Sequence, residues 1–483
     1  MVDPRILPKA LLLAAGLALP ACQTPPGAVE PASLDEQLEL PASWSRTGEA
    51  GSWAAGGWWR NLASPELDAL VEAGLAGSPD LASAAQAVRI ASLRLDAAGG
   101  AGLPQVDASL NLARARNNFV GLPIPGGGDV LTTYSSSRAL SLNVAWELDV
   151  WGRLSSQEAG ALAQLEASSF EWQAARLSLT AQVARLALGL GVAQAQVDLS
   201  RGALENAEAQ LASAERLFEL GLGAPEGILA ARAGANAAKA DLAEARRNLR
   251  SLEPALDALV GRAPGSTGVV DTAALATLVQ GILPTAPPAG LPAELLARRP
   301  DLAALEARLD AAEAGARVAR ADRYPRLSLT ASTGTSGSEL ENLVDGDFRV
   351  WSLGANLLAP IFHGGALEAA EDIAIAQRDQ ALFTFASGTL RALAEVEAAL
   401  IDEAGRQRRV AELEAQLDQL LETEALIERR QTRGSSSASA LFDARARTIG
   451  ARSQLLQARG QLFTGRIDLY LALGGGFDSA PIQ

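Results

Sequence analysis

Four segments of the chain alternate apolar and polar residues with a period of two. Val106, Ala108, Leu110 and Leu112 alternate with Asp107, Ser109, Asn111 and Ala113, and Leu140, Leu142, Val144, Trp146 and Leu148 alternate with Ser141, Asn143, Ala145, Glu147 and Asp149. Leu327, Leu329 and Ala331 alternate with Ser328, Thr330 and Ser332; Trp351, Leu353, Ala355 and Leu357 alternate with Ser352, Gly354, Asn356 and Leu358. Successive side chains of a strand point to opposite faces, so the pattern predicts strands over about 105–115, 139–150, 326–334 and 350–358, each with one apolar and one polar face. Each is close to the ~9–11 residues of a tilted membrane strand. Trp146 and Trp151 fit an aromatic belt at a membrane interface. Alternation alone also fits a soluble antiparallel sheet with one wet face. Four strands leave open edges, and membrane barrels start at about eight strands, so a membrane reading demands further copies of the chain.

Elsewhere the period changes to that of a helix. Leu162, Leu165, Phe170, Ala174 and Leu177 recur at three- and four-residue steps, and no proline falls between Leu154 and Phe218 or between Ala366 and Arg433. The pattern predicts helices over 154–218 and 366–433, roughly 95–100 Å each at 1.5 Å per residue. Both stop at small-residue turns, Gly221-Leu222-Gly223-Ala224 and Gly434-Ser435-Ser436-Ser437, and shorter helices return over 228–259 and 441–473. Short helices over 81–99 and 302–322 lead into the strands, and Pro- and Gly-rich residues 264–292 break the helical pattern.

These elements occur twice. Pro79-Asp80-Leu81-Ala82 returns as Pro300-Asp301-Leu302-Ala303, and Pro104 as Pro325, at one offset (300 − 79 = 325 − 104 = 221). Arg216, Gly221, Arg232 and Gly261 return as Arg429, Gly434, Arg445 and Gly474, each 213 later (429 − 216 = 474 − 261 = 213). A solenoid repeats every ~20–50 residues, so this is a duplicated half-molecule. The organisation expected is a first repeat at 61–270, a linker at 271–292, a second repeat at 293–476 and a tail at 477–483.

The N-terminus carries a targeting pattern. Arg5 and Lys9 precede an apolar run, Ala10 to Leu19, which is too short to span a bilayer. It ends in Leu19-Pro20-Ala21-Cys22, similar to a bacterial lipobox; residues 1–21 would be a signal peptide and Cys22, the only cysteine, the acylated residue. Residues 22–60 then form a tether whose tryptophans, Trp44, Trp53, Trp58 and Trp59, are expected to pack against the helices. Across 483 residues the formal net charge is −15, which argues against nucleic acid as a partner. No constellation points to an enzyme, a cofactor or a metal. His363, the only histidine, sits in a turn, and Glu395, Glu397, Asp402 and Glu403 read as the wet face of a helix.

Several segments resemble the TolC-type outer-membrane efflux factors, in the NodT-like lipoprotein branch that serves RND tripartite systems. They are Trp146-Glu147-Leu148-Asp149-Val150-Trp151-Gly152-Arg153, Leu295-Leu296-Ala297-Arg298-Arg299-Pro300-Asp301, Tyr324-Pro325, Pro360-Ile361-Phe362-His363-Gly364-Gly365 and Ala472-Leu473-Gly474-Gly475-Gly476. The resemblance covers nearly all of the mature chain. It implies an α plus membrane-β fold: a homotrimer with a twelve-stranded outer-membrane β-barrel continued by a periplasmic α-helical tunnel. It also implies a passive exit duct for drugs and other small molecules, delivered by an inner-membrane RND transporter through a periplasmic membrane-fusion adaptor. Metal-ion export, type I secretion and a stalk without a pore are the alternatives. By position, Gly221, Leu222, Gly223 and Ala224 and Gly434, Ser435, Ser436 and Ser437 would be the adaptor-contact tips. Asp443 would belong to an acidic aperture, with Ser439 where relatives often carry a bulky apolar residue.

Overall fold

In a computed structural model of the chain, the structure describes residues 57–120, 130–265, 270–281 and 298–475, with single positions 41, 43, 44, 283, 286, 287, 290, 292 and 295. The expected signal peptide, Cys22, Trp53 and the tail at 477–483 lie outside the described residues. The helices and strands, in order, are α1 (Pro65–Gly77), α2 (Pro79–Ala101), β1 (Gln105–Val120), β2 (Val130–Leu148), α3 (Arg153–Glu219), α4 (Pro225–Leu259), α5 (Thr272–Gln280), α6 (Pro300–Ala321), β3 (Arg326–Gly337), β4 (Arg349–Leu358), α7 (Ala366–Thr432) and α8 (Ala438–Ala472). The duplication is visible in lengths: α3 and α7 have 67 residues each, and α4 and α8 have 35. Their starts keep the sequence offset, 366 − 153 = 438 − 225 = 213.

The chain divides into two compact units. The described part of the first is Ile90–Leu165 with Ala307–Phe383, and it holds one antiparallel sheet in the order β1-β2-β3-β4. Registers pair Val106 with Val144, Val144 with Ala331, and Ala331 with Leu353, so the apolar positions of all four strands share one face. β1 and β2 run well past the expected 115 and 139 to Val120 and Val130, whereas β2 stops two residues early at Leu148. The extension has a physical reason. Beyond Leu112 the apolar face turns charged and hydroxylated (Arg114, Arg116, Tyr134, Ser136), so hydrophobic alternation ends while the ladder continues to Val120↔Val130.

The second unit is helical, and its described residues lie within Asp35–Arg89, Glu166–Glu306 and Thr384–Gln483. Its core joins the two repeats. Val183, Ala187 and Leu190 of α3 pack with Leu67 and Val71 of α1, Leu256 of α4, Leu275 and Val279 of α5, and Phe463 and Ile467 of α8. Trp58 and Trp59 are buried there, and Trp58 stacks on Tyr470 with ring centroids 5.2 Å apart. Trp44 is also buried and donates its indole N–H to the Gly290 carbonyl at 3.0 Å. These three tryptophans are packing groups, as expected.

Two expectations need correction. Inside the segment read as pattern-breaking, α5 forms a nine-residue helix. Asp271 starts it by accepting the N–H groups of Ala273 and Ala274, and its buried face of Leu275, Ala276 and Val279 holds it in the core. The acids of α7 are not a uniformly wet face either. Glu403 is buried and paired with Arg466, and Glu395 receives Arg299 at 2.7 Å, because α8 and the start of α6 bring guanidinium groups to that side.

The recurring junction motifs are closure devices. α4 and α8 each end in a left-handed glycine, Gly261 (φ 73°) and Gly474 (φ 89°). Each glycine presses on the residue two before the proline that opens the helix leading into the strands of its repeat, Pro79 of α2 and Pro300 of α6. A Cβ on Gly261 would lie 1.9 Å from the Gly77 carbonyl oxygen, and one on Gly474 would lie 2.6 Å from that of Arg298. In the second repeat Arg299 completes the lock. It donates to Asp301, to Glu395 and to the Ala472 carbonyl at the end of α8.

Candidate functional site: the strand wall and the helix tips

The two faces of the four-stranded sheet differ sharply in chemistry. On one face Ser109 and Ser141 lie 2.8 Å apart across the strands, Asn143 donates to Ser109 at 3.2 Å, and Ser332 meets Ser352 at 2.8 Å. These cross-strand bonds give a small-residue, hydroxyl-rich surface suited to lining water. The other face is apolar and uncovered: Leu110 is 59% exposed, Leu353 75% and Trp351 77%. Leaving Leu110, Leu142 and Leu353 in water would forfeit ~1.5–3 kcal/mol for each side chain that burial would gain. A bilayer removes that cost, and the inter-strand bonds satisfy the backbone of β2 and β3, while β1 and β4 each keep one unpaired edge.

The strand-to-helix corner after β2 explains the first family-like motif. Glu147 and Arg153 pair at 2.9 Å. Asp149 accepts the N–H groups of Leu154 and Ser155 at 2.9 and 2.8 Å, capping the first turn of α3. Burial pushes the Asp149 carboxyl up, but the backbone hydrogen bonds from Ser155 and Leu154 outweigh it and hold the group below the ordinary carboxylate range. Trp151 donates to the Pro325 carbonyl at 2.7 Å, and its ring lies 5.1 Å from that of Tyr324. Trp151, expected with Trp146 to fit an aromatic belt, locks β2 to β3 at this corner, and Trp146, on the strand itself, is 36% exposed.

In the helical unit, the turns at 220–224 and 433–437 are built alike. Gly221 and Gly434 both have φ 73°. Leu222 donates to Leu217 at 2.8 Å and Ser435 to Arg430 at 2.9 Å, the same C-terminal cap 213 residues apart (435 − 222 = 430 − 217). The restarts differ: Pro225 opens α4 without a side-chain cap, whereas the Ser437 hydroxyl accepts the Ala440 N–H to open α8. An ion pair staples each hairpin, Arg232–Glu215 at 3.3 Å and Arg445–Glu428 at 2.8 Å.

The tips are chemically unlike. The first exposes Phe218, Leu220 and Leu222, the last 76% exposed, whereas the second carries exposed Arg429, Arg430 and Arg433 around its serines. Gly223 and Ala224 complete the first turn, and Ser436 sits within the second. Ser439 and Asp443 are exposed one turn apart on α8. His363 is exposed in the corner before α7. Sequence reasoning missed the roles of Asp149, Arg299 and the Arg466–Glu403 pair, although all but Arg466 and Glu403 lie inside quoted motifs. Among the described residues, no group of three or more His, Cys, Asp or Glu side chains is arranged to hold a metal.

An antiparallel sheet with one bare apolar face and one hydroxylated face, set in a duplicated strand-pair and long-helix unit, defines an outer-membrane channel subunit. The chain belongs to the outer membrane efflux protein family, whose sequence profile matches residues 70–262 and 291–475. It is 33% identical over 481 residues to the pyoverdine export outer membrane protein OpmQ of Pseudomonas putida, with 98% of each chain covered. It is 30% identical over 490 residues to the outer membrane protein OprJ of Pseudomonas aeruginosa, covering 99% of this chain and 97% of the relative. Among solved structures, the outer-membrane channel OprN matches with a TM-score of 0.76 at 28% identity, over 94% of this chain and 98% of that one. The MtrE channel of Neisseria gonorrhoeae, in its open state, matches with a TM-score of 0.77 at 26% identity, over 94% and 98%. The protein is an outer-membrane efflux channel with the TolC-type fold.

Proposed function

We propose that this chain forms, as a homotrimer, the passive exit duct of a tripartite efflux system. Small organic molecules are handed to it by an inner-membrane RND transporter and a periplasmic adaptor. The observation that carries this reading is the unfinished sheet. β1 and β4 are both edges, and the bare apolar face cannot be closed by four strands. Three copies give twelve strands, enough for a barrel with a lumen lined by Ser109, Asn143 and Ser332. Relatives named for pyoverdine export and for toluene efflux support a small-molecule cargo. Transport needs no catalytic group in this chain, since the transporter supplies the energy.

The duplication also sets the seam between copies. The second strands and the helix starts after them repeat at 213: Ala369 donates to Gly365 as Ser156 does to Gly152 (369 − 156 = 365 − 152 = 213), and Leu358 pairs with Arg326 as Ala145 does with Gln105 (358 − 145 = 213). Trp151 packs on Pro325, whose first-repeat counterpart is Pro104 (325 − 104 = 221). Carrying the β2–β3 pairing forward by both offsets makes β4 pair with β1 of the next copy. This register sets Leu357 opposite Leu110 and Ala355 opposite Leu112, with Leu353 opposite Arg114 and Trp351 opposite Arg116, which keeps outward face beside outward face. Cys22 carries the acyl anchor. The turns Gly221–Ala224 and Gly434–Ser437 meet the adaptor, and three copies of Asp443 form an acidic aperture with Ser439 beside it.

Conductance of the purified protein in planar bilayers tests the reading. Assembled trimers are expected to open cation-preferring channels, more readily after Asp443→Ala. A monomer, or trimers without conductance in either form, overturns it.

A further inference from the structure

The apolar face of the sheet ends in arginine on three of its four strands. Moving away from the helices, the first outward side chain after Leu112 on β1 is Arg114, after Leu140 on β2 it is Arg138, and after Trp351 on β4 it is Arg349. Arg116 follows Arg114 on the same face, and the register pairs it with Tyr134. The Tyr134 ring takes both guanidinium groups, each 5.9 Å from its centroid. Arg138 also donates to the Ser338 carbonyl at 2.7 Å, which uses one of its five N–H groups. No Asp or Glu occupies the outward positions of the four strands, in a chain whose formal net charge is −15.

Position specifies the ligand. In an outer-membrane barrel the apolar run faces acyl chains, so the next outward level faces headgroups. This level lies at the strand ends remote from the helices, which is the outer leaflet. Like charges side by side on a sheet repel, and the seam register adds Arg349 of the neighbouring copy on the diagonal from Arg116, one outward position along. Guanidinium forks match phosphate oxygens bidentately, and an anion of two charges relieves such a cluster.

We propose that Arg114, Arg116, Arg138 and Arg349 form a belt that binds the phosphate groups of outer-leaflet lipid headgroups, with Tyr134 holding two of the arginines in place. The proposal rests on the trimeric barrel reading above, and the belt is completed at each seam by a neighbouring copy.

The test is native mass spectrometry of the assembled full-length protein in detergent, titrated with diphosphoryl lipid A and with its dephosphorylated form. Assembly and conductance are checked first, so failure of the barrel reading shows before any lipid is added. Wild type is expected to bind the diphosphoryl lipid about tenfold or more tightly than the dephosphorylated one. Arg→Gln at all four positions should abolish that preference, and Arg→Lys should keep part of it. Equal affinity of wild type for the two lipids overturns the proposal without any variant, as does an unchanged preference in the Gln form. Complete displacement of the lipid by millimolar inorganic phosphate also overturns it, because the site would then belong to a free anion. Retention in inorganic phosphate supports the headgroup.

Discussion

Arg466 of α8 and Glu403 of α7 form an ion pair at 2.5 Å with side chains only 2% and 6% exposed. Removing one partner leaves a charge stranded between the helices, which costs about 3–5 kcal/mol, whereas an apolar replacement of both recovers much of it. Arg466→Leu should therefore lower the thermal midpoint of the helical unit strongly. The Arg466→Leu/Glu403→Leu double variant should sit well above either single variant. Circular dichroism melts in detergent decide this; additive single effects would contradict the pairing.

Arg299 is a second such point. Burial pulls its proton affinity down, but Asp301 and Glu395 outweigh that and raise it. Its guanidinium joins the starts and ends of helices from one repeat, so Arg299→Ala should cost about 2–3 kcal/mol through lost charge-assisted bonds. Arg299→Lys should recover little, since a single ammonium cannot fork across Asp301 and also reach the Ala472 carbonyl. Hydrogen exchange localised to the start of α6 and the end of α8 is the readout. Full rescue by Lys would show that charge alone suffices.

The corner after β2 should respond to acid. Asp149 is held below the ordinary carboxylate range in the folded chain. A depressed group contributes stability above its unfolded value, and that contribution is lost as pH falls through the folded value. The α3 cap should thus be intact at neutral pH and weaken below about pH 4. Asp149→Asn should lower stability at pH 7 and flatten its dependence on pH in the acid range. An unchanged acid profile for the variant would assign the titration elsewhere.

Much of this architecture was legible because its signals are local. Period-two alternation located four strands, proline-free stretches marked both long helices to within a residue or so, and paired glycines marked the turns. The ends of β1 and β2 were missed because the outward face changes from Leu112 to Arg114 while the backbone ladder continues. A reading keyed to apolar alternation stops where that alternation stops. α5 was hidden because its nine residues depend on the Asp271 cap and on a core contributed by distant segments. The burial of Glu403 was invisible for a related reason: its partner stands 63 residues away on another helix. Motif residues such as Asp149 and Arg299 stood out in the sequence. What they do there, capping and cross-bracing, required the fold.

The seam offers the most direct test of assembly. The register derived from the duplication places Ala355 of one copy opposite Leu112 of the next. Cα atoms of opposed residues in an antiparallel pair lie about 4.5–5.5 Å apart, within reach of a disulfide. Cys22 is the only native cysteine, so Leu112→Cys/Ala355→Cys in a Cys22→Ser background introduces one possible bridge per seam. Within a single chain β1 and β4 are the two sheet edges, separated by β2 and β3, so any bridge should link different copies. Under oxidation the double variant should run as covalent dimers and trimers on denaturing gels. Leu112→Cys/Gly354→Cys, which sends the two thiols to opposite faces, should stay monomeric. Ladders from the second pair in place of the first would shift the register by one residue and put Ala355 in the lumen. Such a result would remove the continuous apolar band on which the barrel depends.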